Sequence, residues 1–181
     1  MTSPHRRPRA AALAAATAAA ALAATATASP AAASGRHCIS DTGTGQERCF
    51  ATFDAAIAAA ERETGRTLEE QERALGGGGA SLRAASADVI IGTYFEHEDF
   101  GGATFTLYGD GLCTGGDDTE FWFTFPADWQ NLVSSAQPWA TCALWLHSGP
   151  DGTGDRDGPY RENTAYVGDH MNDRAVSTTL G

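Results

Sequence analysis

The stretch YFEHEDFGG, residues 94–102, decides the fold, because a second stretch further along the chain has the same form. Residues 144–152 read LWLHSGPDG, and in each stretch an aromatic residue is followed seven positions later by glycine. A polar hexapeptide that ends in serine closes each copy: QNLVSS at residues 130–135 and NDRAVS at residues 172–177. The order and spacing of these segments predict an internal repeat of two copies.

Four residues of each copy receive a structural role: the opening aromatic, the residue five positions later, the glycine and the closing serine. Glycine suits a hairpin that folds back over its own sheet, because it reaches positive φ and permits close backbone approach. The aromatic would cover the hairpin, and the serine would bond backbone groups that the fold leaves unpaired, since an unpaired buried amide costs about 1–3 kcal/mol. These residues are Phe95, Phe100, Gly102 and Ser135 in the first copy and Trp145, Pro150, Gly152 and Ser177 in the second.

The repeat resembles the Greek-key motif of the βγ-crystallin superfamily, in which two motifs make one domain. The resemblance covers residues 89–181, with motif one at 89–140 and motif two at 141–181, and it implies an all-β double Greek-key sandwich. Apolar and polar residues alternate around Phe105 and Phe123, which independently predicts strands there. A propeller is the rival architecture for this repeat length, but two copies are too few blades.

Residues 1–33 are predicted to be a secretory signal peptide, since arginines precede an alanine-rich stretch that ends in small residues. We favour the general secretory route over the twin-arginine route, because no apolar residues directly follow Arg6-Arg7. The stretch is too weakly apolar to predict a membrane span. The mature protein is therefore expected to be extracellular.

Residues 34–75 are predicted to form a cysteine-closed loop followed by two short helices. Thr52 or Asp54 would cap the first helix and Gly65 would end it, while Thr67 would begin the second. Residues 76–88 read as a Gly/Ala-rich linker to the β domain. The pattern leaves open whether the helical segment is a spacer or a docking segment.

Four cysteines in an exported chain predict two disulfides, for which three pairings are possible. We favour Cys38–Cys49, which closes a short loop, and Cys113–Cys142, which joins the first motif to the second. Zinc is not expected, because the chain has no Cys-x-x-Cys pair.

The charge of the predicted mature chain excludes one class of partner. All 23 acidic residues but only nine of the twelve basic residues lie in residues 34–181, which gives this part a formal charge of −14. A nucleic-acid partner is therefore not expected.

Calcium is the cofactor that the resemblance implies. In calcium-binding members of the superfamily, Asn or Asp at the first two positions of the closing hexapeptide and Ser or Thr at the fifth supply oxygen ligands, and a hairpin carbonyl completes each site. The first copy departs from this pattern at Gln130, and the second departs at Val176, so we expect one defect in each site. The loops could also hold only the closing serine. The candidate ligands are Asn131, Ser134, Asn172 and Asp173, with Asn131 and Ser134 favoured if one site survives.

Enzyme chemistry finds little support in the sequence. An EF-hand loop centred on Gly158 would begin at Thr153 and end at Thr164, and neither supplies a carboxylate. Residues 96–99, EHED, lack the second histidine of a His-Glu-x-x-His helix. His97 and His147 are predicted to take equivalent structural places in the two hairpins. We therefore expect no catalytic residues, with a carboxylate-based hydrolase as the least favoured function.

Within the superfamily, the chain looks most like the streptomycete metalloproteinase inhibitor family. That resemblance implies a secreted, monomeric, non-catalytic protein that inhibits a secreted protease, with a rigid loop at residues 109–118. The alternative is a calcium-binding extracellular structural or stress protein.

Overall fold

A sandwich of two β-sheets forms the body of the computed structural model, which describes residues 36–76, 88–114, 116 and 118–181. The predicted signal peptide and residues 77–87 of the predicted linker lie outside the described residues. The described strands are β1 (His37–Asp41), β2 (Glu47–Phe50), β3 (Asp88–Phe95), β4 (Thr104–Asp110), β5 (Phe121–Thr124), β6 (Ser135–Pro138), β7 (Leu144–His147), β8 (Arg156–Tyr160) and β9 (Ser177–Leu180). The helices are α1 (Phe53–Thr64) and α2 (Leu68–Gly76).

The two copies of the repeat interlock through their strands. The first sheet has the order β2-β1-β4-β3-β6, and the second has the order β5-β9-β7-β8. Strand β5 belongs to the first copy in sequence, yet it pairs antiparallel with β9 of the second copy. This pairing gives the two-sheet, largely β architecture that the repeat predicts, and the second sheet contains strands from both copies.

The main core lies between the two sheets and is built from the alternating apolar residues. Phe105 and Leu107 of β4 are fully buried in the same cluster as Leu144 and Leu146 of β7. Trp129 packs on Phe105 with ring centroids 5.4 Å apart. Burying each such side chain stabilises the fold by about 1.5–3 kcal/mol, so this core is the main source of stability.

The N-terminal segment adds two strands that the sequence pattern does not indicate. The Cys38–Cys49 disulfide joins β1 to β2, and β1 pairs in parallel with β4. Both strands therefore extend the first sheet, and the described residues belong to one compact unit. The second disulfide is Cys113–Cys142, so the favoured cysteine pairing is the one observed.

The two helices are anchored to the first sheet. Helix α1 is capped by Thr52, whose hydroxyl accepts from the Ala55 amide, and it ends at Gly65 in the left-handed conformation. Its alanines form a small second core with residues of β1, β3 and β4. Gln71 of α2 is buried and bonds both the N–H and the carbonyl of Ile90, at 3.0 and 2.7 Å, beside a β-bulge. The segment thus docks on its own sheet.

Among the described residues, no helix is both long enough and apolar enough to cross a membrane.

Candidate metal centre

The closing serine ties down the folded hairpin in both copies. Ser135 accepts a hydrogen bond from the Phe100 amide at 3.1 Å and donates to the His97 carbonyl at 2.7 Å. Ser177 accepts from the Gly152 amide at 3.0 Å and donates to the Gly149 carbonyl at 2.6 Å. Both serines are fully buried. Each hydroxyl therefore satisfies one backbone N–H and one backbone carbonyl.

The two hairpins correspond in the structure with a shift of two positions from the correspondence predicted from the sequence. Phe95 lies opposite Ser135 in the first sheet, and the residue opposite Ser177 in the second sheet is His147, not Trp145. The backbone repeats this relation: Ser134 N–H donates to the Phe95 carbonyl, and Val176 N–H donates to the His147 carbonyl. The first-copy positions Phe95, His97, Phe100 and Gly102 therefore correspond to His147, Gly149, Gly152 and Gly154.

Steric demand at the glycine explains the shift. Gly154 has a φ of +80°, and a Cβ there would lie 2.5 Å from Ser148 Oγ and 2.9 Å from Gly149 N. Gly102 has a φ of +77°, and its Cβ would meet His97 at 2.9 Å in the same way. The sequence offers glycine at both 152 and 154, and the spacing from Trp145 selected the wrong one. The equivalence of His97 with His147 is wrong for the same reason.

All four candidate ligands line one depression of about 690 Å³ where the two copies meet. Ser134 donates to the Glu96 carbonyl at 2.9 Å, and its hydroxyl lies 3.4 Å from Asp173 Oδ1. The side-chain nitrogen of Asn172 donates to Asp173 Oδ2 at 3.0 Å. Asn131 lines the same depression. The oxygens of Glu96, Ser134 and Asp173 therefore form one polar cluster.

An unpartnered oxygen marks this cluster as a candidate cation site. Asn172 Oδ1 is buried, and the described residues supply it with no hydrogen-bond donor. Leaving a buried acceptor unpaired costs about 1–3 kcal/mol, unless a ligand completes it. Carbonyl, hydroxyl, amide and carboxylate oxygens are the donors that calcium prefers, so the residues present fit this ion.

Two equivalent positions exist between the two copies, related by the repeat. The two departures from the hexapeptide pattern, Gln130 and Val176, both fall at the same one of these positions. The cluster above takes its hydroxyl, Ser134, from the first copy and its Asn-Asp pair from the second. At the other position, the Asn131 N–H donates to the Ala175 carbonyl. Gln130 and Asn131 of the first copy therefore lie next to the segment of the second copy that contains Val176. The structure therefore groups both departures, Gln130 and Val176, on one side, and it leaves Ser134 with the Asn172-Asp173 pair on the other.

A second group of potential ligands, Cys38, Glu47 and Cys49, also lies close together. The two sulfur atoms are bonded to each other, so neither is a thiolate ligand.

His147 replaces the first copy's Phe95 and keeps only one hydrogen bond. The imidazole is 4% exposed, its Nε2 lies 2.9 Å from Thr179 Oγ1, and its Nδ1 is buried without a partner among the described residues. Burial, with a smaller contribution from the charge of Arg156, lowers the pKa of His147 below 6.5. The ring is therefore neutral in the folded protein near pH 7.

Stability should fall as the pH is lowered through 6.5. The unfolded chain binds a proton at His147 near pH 6.5 and the folded chain only at lower pH, so unfolding takes up protons in this window and the loss levels off below the folded pKa. His37, whose pKa is also lowered by burial, adds to the effect. His147→Phe and His147→Gln should both flatten the dependence of the melting temperature on pH between about 7 and 5.5. An unchanged slope in both variants would contradict this assignment.

No protein-family model and no curated protein matches the chain. Among solved structures, the chain is similar to a βγ-crystallin domain from Clostridium beijerinckii at 18% identity, over 50% of this chain and 95% of that one, with a TM-score of 0.38. A βγ-crystallin domain from Flavobacterium johnsoniae shows 13% identity over 50% and 93% of the chains, with a TM-score of 0.37. The N-terminal domain of protein S shows 20% identity over 50% and 94%, with a TM-score of 0.38. Half of the chain is thus similar to domains of the βγ-crystallin type.

Proposed function

We propose that the chain is a secreted, non-catalytic protein of the βγ-crystallin type that binds one calcium ion between its two motifs. The observation that carries the proposal is the buried, unpartnered Asn172 Oδ1, on a residue that lines the same depression as Glu96, Ser134 and Asp173. These four groups would hold the ion, and water would complete its six to eight ligands.

The position of the cluster indicates what the ion would do. Glu96 and Ser134 belong to the first copy, and Asn172 and Asp173 belong to the second. A cation bound by all four would link the two motifs and favour the folded chain over the unfolded chain. With Asp173 as the one carboxylate among these ligands, we expect a dissociation constant on the order of 10⁻⁴ M, typical of extracellular calcium modules.

Calcium should raise the melting temperature of the oxidised protein. At 10 mM calcium and a dissociation constant on the order of 10⁻⁴ M, mass action stabilises the fold by about 2.7 kcal/mol. For a domain of this size, the melting temperature would rise by roughly 6–11 °C. Ser134→Ala and Asp173→Asn should each remove most of that rise, and asparagine keeps the positive φ of residue 173 accessible.

Two controls separate a specific site from general charge screening. Asp128→Asn removes a carboxylate that pairs with Arg36 outside the cluster and should leave the calcium-induced rise unchanged. Magnesium should act more weakly, since it demands a tight octahedral shell and loses water reluctantly. Absence of any rise in 10 mM calcium, or an equal rise in the Asp173→Asn variant, would refute the proposal.

A gain-of-binding variant tests whether each site takes its ligands from both motifs. Gln130→Asn combined with Val176→Ser restores the ligand pattern at the other of the two equivalent positions, so equilibrium dialysis should then give two bound calcium ions in place of one. The single substitutions should each leave the stoichiometry at one.

The predicted signal peptide and the two disulfides support an extracellular location. Inhibition of a secreted metalloproteinase, the other role that the resemblance implies, stays a prediction. The Cys113–Cys142 bridge and the bond from the Thr114 amide to Glu120 Oε1, at 2.8 Å, anchor the loop on which that role would depend.

A further inference from the structure

The outer face of the second sheet carries a groove of about 320 Å³ that shares no lining residue with the metal centre. Strand β5 forms one wall through Trp122, and the second hairpin forms the other through Asp151 and Gly152. His147 and Arg156 also line it. The volume is at the lower end of the range for small-ligand pockets, about 300–1,000 Å³.

The pseudo-symmetry shows why this groove exists. In the first copy, Phe95 packs on Phe100 with ring centroids 5.5 Å apart, and Phe53 of α1 packs on Phe95 at 6.0 Å. In the second copy the equivalent residues are His147 and Gly152, so the ring of Phe100 has no counterpart. A helix like α1 does not cover this face within the described residues. The second copy therefore leaves open a place that aromatic rings fill in the first.

Trp122 is the exposed aromatic at this place. It lies opposite Thr179, which lies opposite Trp145, so the three side chains share the outer face of the sheet. Trp122 is 62% exposed, whereas Trp129 and Trp145 are each 1% exposed. An indole left in water forgoes the stabilisation of burial, so the fold itself does not account for tryptophan here.

Polar groups of both kinds border the indole. Asp151 accepts from Thr124 through Oδ1 at 2.9 Å and is otherwise exposed, so its carboxylate retains acceptor capacity. The Cζ atom of Arg156 lies over the Trp145 ring, 4.7 Å from its centroid, and Arg156 makes no ion pair among the described residues. Thr119 adds a hydroxyl at the rim. The groove thus combines an apolar plate with an acceptor, a donor and a hydroxyl.

We propose that this groove binds a carbohydrate, with one pyranose ring stacked on Trp122. A pyranose presents an apolar face of C–H groups, which suits an exposed indole, and a rim of hydroxyls that both donate and accept. Asp151 would accept from such hydroxyls and Arg156 would donate to them. A polyanionic ligand is disfavoured by the formal charge of −14 on residues 34–181. The open form of the groove suits a chain of sugars that continues beyond the site.

Binding is tested with the oxidised chain of residues 34–181. The protein is sedimented with insoluble chitin, cellulose, xylan and peptidoglycan, and tryptophan fluorescence is titrated with a soluble oligosaccharide of each polymer that retains it. We expect retention by at least one polymer and a dissociation constant at least about tenfold higher for Trp122→Ala. Trp122→Phe, which keeps a ring, should fall between the two. Tyr166→Ala removes an exposed aromatic outside the groove and should bind like the original chain.

Three results would overturn the proposal. The first is no retention by any of the four polymers, and the second is equal binding by Trp122→Ala. The third is a dimer that Trp122→Ala converts to a monomer in sedimentation velocity, which would make this face a contact between two copies through the edge strand β5. Circular dichroism of Trp122→Ala should match the original chain, since an indole that is 62% exposed contributes little to the core.

Discussion

Removing the Cys113–Cys142 disulfide is expected to lower the free energy of unfolding by about 3–4 kcal/mol. The bridge spans 29 residues, and a cross-link of that length removes much of the conformational freedom of the unfolded chain. It also joins the end of the first copy's hairpin to the start of β7, so it restrains the docking of the two motifs. Urea denaturation of the Cys113→Ala, Cys142→Ala double variant, compared with the oxidised parent, measures the loss.

The Cys38–Cys49 bridge provides the matched comparison. It spans 11 residues within one hairpin, for which the same entropy relation gives about 3 kcal/mol. Cys113 and Cys142 are both buried, at 0% and 4% exposure, whereas in the other pair Cys38 is buried and Cys49 is exposed, so truncation removes more packing from the first pair. A larger loss for the Cys38→Ala, Cys49→Ala variant than for the other pair would contradict this ranking.

The same bridge also holds a strained turn just before Cys142. Ala140 and Thr141 both have positive φ, at 57° and 65°, a region that costs a β-branched residue about 1–3 kcal/mol. Thr141 Oγ1 donates to the Cys113 carbonyl at 2.6 Å, so the turn is held by a hydrogen bond as well as by the disulfide.

The sequence predicts those features of the fold that short segments encode. The closing hexapeptides mark Ser135 and Ser177, which make the predicted contacts with the folded hairpins. Alternation marks β4 and β5, since every second residue meets the core. These signals are readable because each depends on a few neighbouring residues.

Features that depend on distant parts of the chain are not readable in this way. The parallel pairing of β1 with β4 joins residues more than sixty positions apart, and nothing in the cysteine loop indicates it. The second hairpin offers glycine at both 152 and 154, and steric contact with Ser148 and Gly149 selects Gly154. The candidate ligands were grouped within each copy in the sequence, whereas the Ser134 hydroxyl and the Asn172-Asp173 pair come from different copies and are brought together only by the packing of the motifs.

Ser135→Ala is expected to destabilise the fold by about 2–4 kcal/mol, because it leaves two backbone groups without a partner. These groups are the Phe100 amide and the His97 carbonyl, and the stack of Phe100 on Phe95 keeps the hairpin folded over them. Ser177→Ala should have a similar cost through the Gly152 amide and the Gly149 carbonyl. Urea titrations of both variants without calcium provide the measurement.

Ser40→Ala is the matched control for these two variants. Ser40 is 1% exposed, and its hydroxyl has no hydrogen-bond partner among the described residues, so alanine removes a buried polar group that was never satisfied. The change should cost less than about 0.5 kcal/mol or stabilise the fold. A Ser135→Ala loss no larger than that of Ser40→Ala would show that the tie contributes little.

Ser134→Ala then separates the tie from the metal centre, although the two serines are adjacent. Ser135→Ala should lower the melting temperature with and without calcium, since its hydroxyl bonds only backbone groups of the hairpin. Ser134→Ala should remove the calcium-dependent part as well, since its hydroxyl lies 3.4 Å from Asp173, and its cost without calcium should be smaller than that of Ser135→Ala because it leaves one backbone group, the Glu96 carbonyl, without that bond. Loss of the calcium response in both variants would mean that the ion requires the folded hairpin itself, because the Glu96 carbonyl is presented by that hairpin.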